Sequence, residues 1–319
     1  MDKLIIEVAS NETVTRAENP HVPLTPEELA QDVAECVDAG ASIIHFHPRD
    51  PDCPPDRLDI GRLDDVDFYA DAIRRMKQMR DVIPYPTYPY QTHDGHAGVA
   101  KLFPHVRELV EERGVGLETF VFFIGATNMG WWNEGEQRFV TDRVNHMLHG
   151  EAASFLTWAA QADFRTQFGV REPGHIRHIY HYQDMGLVPD PVVVHLNFSD
   201  GPPFGPIPGA KGIQAFLDAV PDGKRPFQWF IHNFVNNFNS DDKHPESHRM
   251  LNLLAIAMGG HVRTGIGDLP LWNGEPLSNA RMVEKFARIA RDMGREVATA
   301  EEARAILGLR ARPADQASR

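Results

Sequence analysis

The sequence predicts a (β/α)8 TIM barrel, and three observations carry that expectation. Eight apolar, strand-like runs alternate with amphipathic helical stretches along 319 residues, the pattern of a parallel α/β fold. The turn after the first run, "EVASNETVTRAENP" (7–20), holds no glycine, whereas a doubly wound nucleotide-binding sheet would place a glycine-rich phosphate turn there. Polar residues stand where the apolar runs end: Glu7, His45, His47, Thr87, Asn128, Glu172, His195, Asn197, His232, Asn233 and Asp268. Barrels gather their functional side chains at that end of the strands.

Taken in order, "KLIIEVAS" (3–10) reads as the first strand. The helix over 24–40 carries its own start and stop signals. Thr25 is the N-cap, Pro26 takes the first helical position, Glu28 closes a capping box and Gly40 ends the helix. "SIIHFH" (42–47) is the second strand, followed by a helix over 65–79 and a third strand, "DVIPYPTY" (81–88). A helix over 105–114 leads to "ETFVFFIGATN" (118–128), the fourth strand. The stretch 138–150, "RFVTDRVNHMLHG", and the segment after it read as helical. The fifth strand, "RTQFGVREPG" (165–174), is weaker in β-formers, and a helix over 176–186 follows. "PVVVHLNF" (191–198) is the sixth strand, opening on a β-branched run. A helix over 212–220 precedes "FQWFIHNF" (227–234), and a helix over 249–260 precedes "HVRTGIGD" (261–268). Two closing helices, 279–294 and 299–309, complete the chain, the second with a capping box from Thr299 to Glu302. A single barrel domain over 1–309 and a flexible tail over 310–319 are expected. The long Asn-rich stretch "NFVNNFNSDDKHPESHR" (233–249) suits an active-site loop.

Composition narrows the partners. A net charge of −13 argues against nucleic acid or an anionic membrane as a main partner. No apolar run approaches the roughly 18 residues of a membrane span. The N-terminus runs straight into a strand, with neither a signal-peptide nor a transit pattern, so a cytoplasmic setting is expected. Cys36 falls on a helix and Cys53 in a Pro-rich loop, which gives no disulfide framework.

The motif with the most chemistry is "SIIHFHPRD" (42–50). Residues two apart on a strand face the same way, so His45 and His47 share a face. Two neutral imidazoles on one face suit a divalent metal such as zinc, provided another ligand joins them. A pair of buried, hydrogen-bonded histidines is the alternative on spacing alone. Arg49, just beyond, could fork onto a carboxylate. "GWWNEG" (130–135) would wall a pocket or an oligomer contact, and His175, His178 and His181 read as a polar helix face.

Several segments resemble the β-keto acid cleavage enzyme family, also known as 3-keto-5-aminohexanoate cleavage enzymes: "HFHPRD", "SNETVTRAENPHVPLTPEE", "AMGGHVRTGIGD" and "LSNARMVEKFARIARDMGREVATAEEARAILGL". They occur in the family's order and spacing, and are strongest over 1–50 and 255–309. The resemblance implies a (β/α)8 barrel with a catalytic zinc, homo-oligomeric assembly, and condensation of a β-keto acid with acetyl-CoA to give acetoacetate and a new CoA thioester. It makes His45 and His47 zinc ligands and matches Asp268 and Arg263 to the family's catalytic Asp and Arg. It also points to Glu12, Thr87 and Glu172 for the substrate, since an acid near Glu12 can meet a substrate amino group in the family; Arg49, just past the histidine pair, and Asn128, at a strand end, are further substrate-binding candidates from position alone.

The departures from the family pattern are informative. Gly267 stands where the family's third zinc ligand, a glutamate, is expected. Pro86 replaces a serine, Val121 a threonine and Gly169 a substrate-contacting glutamate, while the Asn-rich stretch replaces an arginine-containing loop. A two-histidine site is too open to hold zinc well, so a ligand is expected to have moved. His232, on the strand beside the eighth, is the expected replacement, ahead of His195 and Asp268. The expected function is zinc-dependent carbon–carbon bond cleavage and condensation of a β-keto acid with acetyl-CoA, Asp268 being the base and Arg263 its orienting partner. A metal-dependent hydrolase or lyase using zinc-bound water is the alternative, and a barrel that only binds a ligand is a third reading.

Overall fold

A computed structural model describes residues 2–52, 63–88, 103–140, 144–201, 203–234 and 245–310. The expected alternation is present. The elements run β1 (Ile6–Ala9), α1 (Pro26–Ala39), β2 (Ile43–Phe46), α2 (Val66–Met79), β3 (Ile83–Pro86), α3 (Pro104–Glu111) and β4 (Thr119–Phe123). Four short strands follow: β5 (Ala126–Asn128), β6 (Trp132–Asn133), β7 (Arg138–Phe139) and β8 (Val144–His146). Then come α4 (His149–Gln161), β9 (Arg165–Val170), α5 (Gly174–Asp184), β10 (Val193–Ser199), α6 (Ala210–Leu217) and β11 (Gln228–Phe234). The chain closes with α7 (Pro245–Met258), β12 (Val262–Thr264), α8 (Asn279–Asp292) and α9 (Ala300–Leu307).

Eight parallel strands form two four-stranded sheets, ordered β12-β1-β2-β3 and β11-β10-β9-β4. A parallel bridge between Phe230 and His261 ties β11 to the start of β12, and β3 packs beside β4. The result is the (β/α)8 barrel, and the open-sheet alternative is set aside. β1, β2 and β3 are buried at every residue, as expected of parallel strands covered on both faces. The register places the site. Glu7 pairs with Arg263, Ala9 with His45, and His45 with Tyr85. On the other sheet Phe123 pairs with Gly169 and Asn197 with His232.

The local signals in the sequence explain the helices. In α1 the Thr25 side chain accepts from the Glu28 N–H, and the reciprocal half of the capping box is formed. Its buried stripe of Leu29, Ala30, Val33, Ala34 and Cys36 seals it to the barrel. The second capping box, Thr299 with Glu302, starts α9.

One expectation fails. Among the described residues of 138–150, none before His149 is helical. Met147 and Leu148 lead into α4, and the described residues before them form two antiparallel pairs, β5 with β8 and β6 with β7. "EGEQ" (134–137) is a turn, and Trp132 meets Phe139 across the strands with ring centroids 5.2 Å apart. That cross-strand aromatic pair outweighs a helical pattern read over a short window. Cys53 and most of the Asn-rich stretch (235–244) lie outside the described residues, as does the tail beyond Arg310. Among the described residues no helix is long and apolar enough to cross a membrane.

Candidate metal centre

Glu12, His45 and His47 bring their ligand atoms together at the ends of β1 and β2, and they are the one such His/Cys/Asp/Glu group among the described residues. The two Nε2 atoms face each other at 3.3 Å. Glu12 Oε1 lies 3.1 Å from His45 Nε2, and Oε2 lies 2.8 Å from His47 Nε2. Donors about 2.0–2.1 Å from a tetrahedral zinc lie about 3.4 Å from one another. The three residues therefore fit a divalent ion in both donor chemistry and spacing.

Protonation favours the same use. Burial pushes the His45 imidazole down to about 4, so it is neutral at pH 7 and able to ligate. Burial alone would raise Glu12, but the facing imidazoles of His47 and His45 hold its carboxyl well below the usual range. Tyr85 stacks on the His45 ring at 4.6 Å and fixes its plane.

Glu12 is placed by its loop rather than by a strand. Its φ is 40°, an uncommon conformation for a residue with a side chain and one that tertiary contacts must hold. Asn11 supplies one contact: its side chain donates to the carbonyls of Pro23 and His47 and accepts from the His47 N–H. Arg49 supplies another, with Nη1 donating to the carbonyls of Glu12 and Val14. Gly267 supplies the space. A Cβ there would lie 2.9 Å from the Glu12 Cβ and closer still to its Cγ.

Behind the centre lies a buried ionic network. Arg263 donates from Nε and Nη2 to both oxygens of Asp268, at 2.8 and 3.0 Å. Nη1 donates to Glu7 at 2.9 Å and to the Tyr85 hydroxyl at 3.0 Å, and Nη2 donates to Glu12 at 2.5 Å. Tyr85 itself donates to Glu7 at 2.5 Å. A guanidinium with its donors spent on three carboxylates is oriented rigidly. Burial lifts Asp268 to about 6, against the pull of Arg263. Farther across the barrel, Gln167 donates to Thr119 and pairs with the His195 ring at 2.9 Å.

The expected site residues divide accordingly. His45, His47, Glu12, Arg263 and Asp268 form one continuous assembly. Thr87 joins it as part of a small open cleft, also lined by Tyr88, Val121, Phe123 and His232. His232, the expected third ligand, is outside the ligand group, its Nε2 4.0 Å from Asp268 Oδ1. Its place beside the histidines is taken by Glu12, which reaches them from the first loop. His195 is engaged with Gln167. Arg49 braces the loop, Glu172 accepts from the Gly205 N–H, and Asn128 sits exposed on β5, paired with Val144. None of these three lines the cleft. Reading the sequence alone missed Glu7 as the Arg263 anchor, Asn11 and Tyr85. Only Glu7 carried a signal, as a charge ending an apolar strand.

Comparison with known proteins agrees with this architecture. A family model described as beta-keto acid cleavage enzyme matches residues 3–309. The 3-keto-5-aminohexanoate cleavage enzyme of Fusobacterium nucleatum subsp. nucleatum is 28% identical, over 97% of this chain and 99% of its own. The 3-dehydrocarnitine:acetyl-CoA trimethylamine transferase of Rhizobium meliloti is 26% identical, over 92% of each chain. A solved ternary complex of ObcA with a C4-CoA adduct and oxalate superposes with a TM-score of 0.64 at 15% identity. That match covers 91% of this chain and 68% of that one, and is a likeness of fold.

Proposed function

Since the chain belongs to the beta-keto acid cleavage enzyme family, we propose that it cleaves a β-keto acid with acetyl-CoA as co-substrate and with zinc held by Glu12, His45 and His47. The observation that carries this reading is the convergence of one carboxylate and two Nε2 atoms, with Glu12 and His45 also lining the cleft. When bound, the zinc supplies Lewis-acid polarisation of the keto carbonyl.

The chain's own residues do the rest. The C2 hydrogens of a β-keto acid lie between two carbonyl groups and are its acidic ones. Asp268, near 6 and held at both oxygens by Arg263, is matched to accept one of them at neutral pH. Arg263 keeps the carboxylate aimed, and Glu7 and Tyr85 keep Arg263 from turning. In the overall exchange C2 gains a bond to the acetyl carbonyl carbon and loses its bond to C3. The CoA sulfur gives up the acetyl carbon and bonds to C3, Asp268 returns the proton to C2, and acetoacetate leaves beside the new acyl-CoA. Thr87, at the cleft wall, offers a hydroxyl to the acid. Homo-oligomeric assembly belongs to the same reading.

The test is turnover of a panel of β-keto acids by the zinc-loaded protein, with acetoacetate and CoA esters followed by mass spectrometry. Formation of both products supports the reading. Cleavage without CoA would favour the hydrolytic alternative, and no cleavage of any acid would overturn the proposal.

A further inference from the structure

Away from Glu12, His45 and Arg263, the described lining of the cleft is Tyr85, Pro86, Thr87, Tyr88, Val121, Phe123 and His232. Among the described lining residues the charged groups therefore stand together with the metal-centre residues, and burial with the neighbouring Arg263 pushes the His232 imidazole well down. The opposite wall is built around Phe123. Its ring lies over Gly169, where an added Cβ would meet it at 2.6 Å, so the glycine is what admits the ring. One face of that ring is already taken by the guanidinium of Arg171, 3.7 Å from its centroid, while Arg171 does not itself line the cleft. The Phe123 N–H donates to the Tyr88 hydroxyl at 3.0 Å, which fixes the two rings relative to each other.

We infer that this enzyme takes β-keto acids whose tail, beyond C3, is uncharged and apolar, and that Phe123, Val121, Tyr88 and Pro86 are the wall that receives it. Among the described residues an ammonium tail would find no carboxylate there. The aromatic face that could have offered cation–π attraction is occupied by Arg171 on one side, so a second cation gains less. A carboxylate tail would be desolvated against carbon. An alkyl or aryl tail gains from every apolar contact. The inference rests on the proposed reaction in one respect, that the acid's carbonyl end sits at the metal-centre residues.

The test separates binding from chemistry. Three 3-hydroxy acids of equal length, unreactive stand-ins ending in methyl, ammonium or carboxylate, are titrated calorimetrically into the zinc-loaded protein. The methyl-ended acid is expected to bind at least tenfold tighter than either charged one. Phe123→Ala should cut that preference to about threefold or less. Equal or tighter binding of a charged acid, or binding of none, overturns the inference. Turnover of the matching 3-keto acids with acetyl-CoA is measured in parallel. Selective binding without turnover leaves the apolar wall standing and refutes the reaction. Turnover without tail preference refutes the wall and leaves the reaction.

Discussion

The side chain that Gly267 lacks and the side chain of Glu12 claim the same space: a Cβ at 267 would lie 2.9 Å from the Glu12 Cβ and nearer still to its Cγ. A carboxylate can therefore reach the two imidazoles over a glycine from the first loop, or from position 267 itself, but not from both. Gly267→Ala should displace Glu12 and weaken zinc binding at least roughly tenfold, measured by competition with a chelator. The double change Glu12→Ala with Gly267→Glu should recover most of that loss. Wild-type affinity in Gly267→Ala would show that the two positions are not linked.

Zinc content should depend on the paired imidazoles and not on the cleft wall. Replacing both His45 and His47 with alanine should leave less than about a tenth of the metal, by plasma mass spectrometry, with the far-ultraviolet dichroism unchanged. His232→Ala should change affinity by no more than about threefold, because its ring stands outside the ligand group. A large loss in His232→Ala would restore it as a ligand.

The contrast between His232 and Glu12 shows where sequence reading stopped. Strands and helices were legible because apolar runs and cap residues are local signals. His45 and His47 were placed on one face by spacing, and the Thr25 and Thr299 caps formed as written. Glu12 was legible as a charge but not as a partner of the histidines. Its position depends on a positive φ, on Asn11 and on the space left by Gly267, none of which a linear pattern records. The hairpin pairs between β5 and β8 were missed for a related reason: antiparallel partners separated by about fifteen residues leave no helical or strand period of their own.

The far end of the barrel supports a stability prediction. Arg304 of α9 forks onto Asp81 at 2.8 and 2.8 Å and onto the buried Glu118 at 2.5 and 3.0 Å. Removing one partner of a buried pair leaves a charge stranded, which costs about 3–5 kcal/mol. Lys77 stays 3.0 Å from Glu118 and offsets part of that. Arg304→Ala should lose about 2–4 kcal/mol in urea unfolding, with zinc content unchanged. A loss below about 0.5 kcal/mol would mean that the network is solvated.

Asp268 links activity and stability to pH in opposite directions. A general base works deprotonated, so kcat/KM should rise with unit slope through about pH 6, where burial places this carboxyl. The stability sign is the reverse. A carboxyl raised from about 3.9 unfolded to about 6 folded binds more protons in the native state. Its contribution is therefore most favourable at low pH and declines as pH rises from about 4 to about 6, by at most about 3 kcal/mol. Asp268→Asn should abolish both trends, lower kcat by about 10²–10⁴-fold and keep its zinc, since Asp268 is not in the ligand group. A variant that retained the activity rise near pH 6 would assign that proton to another group.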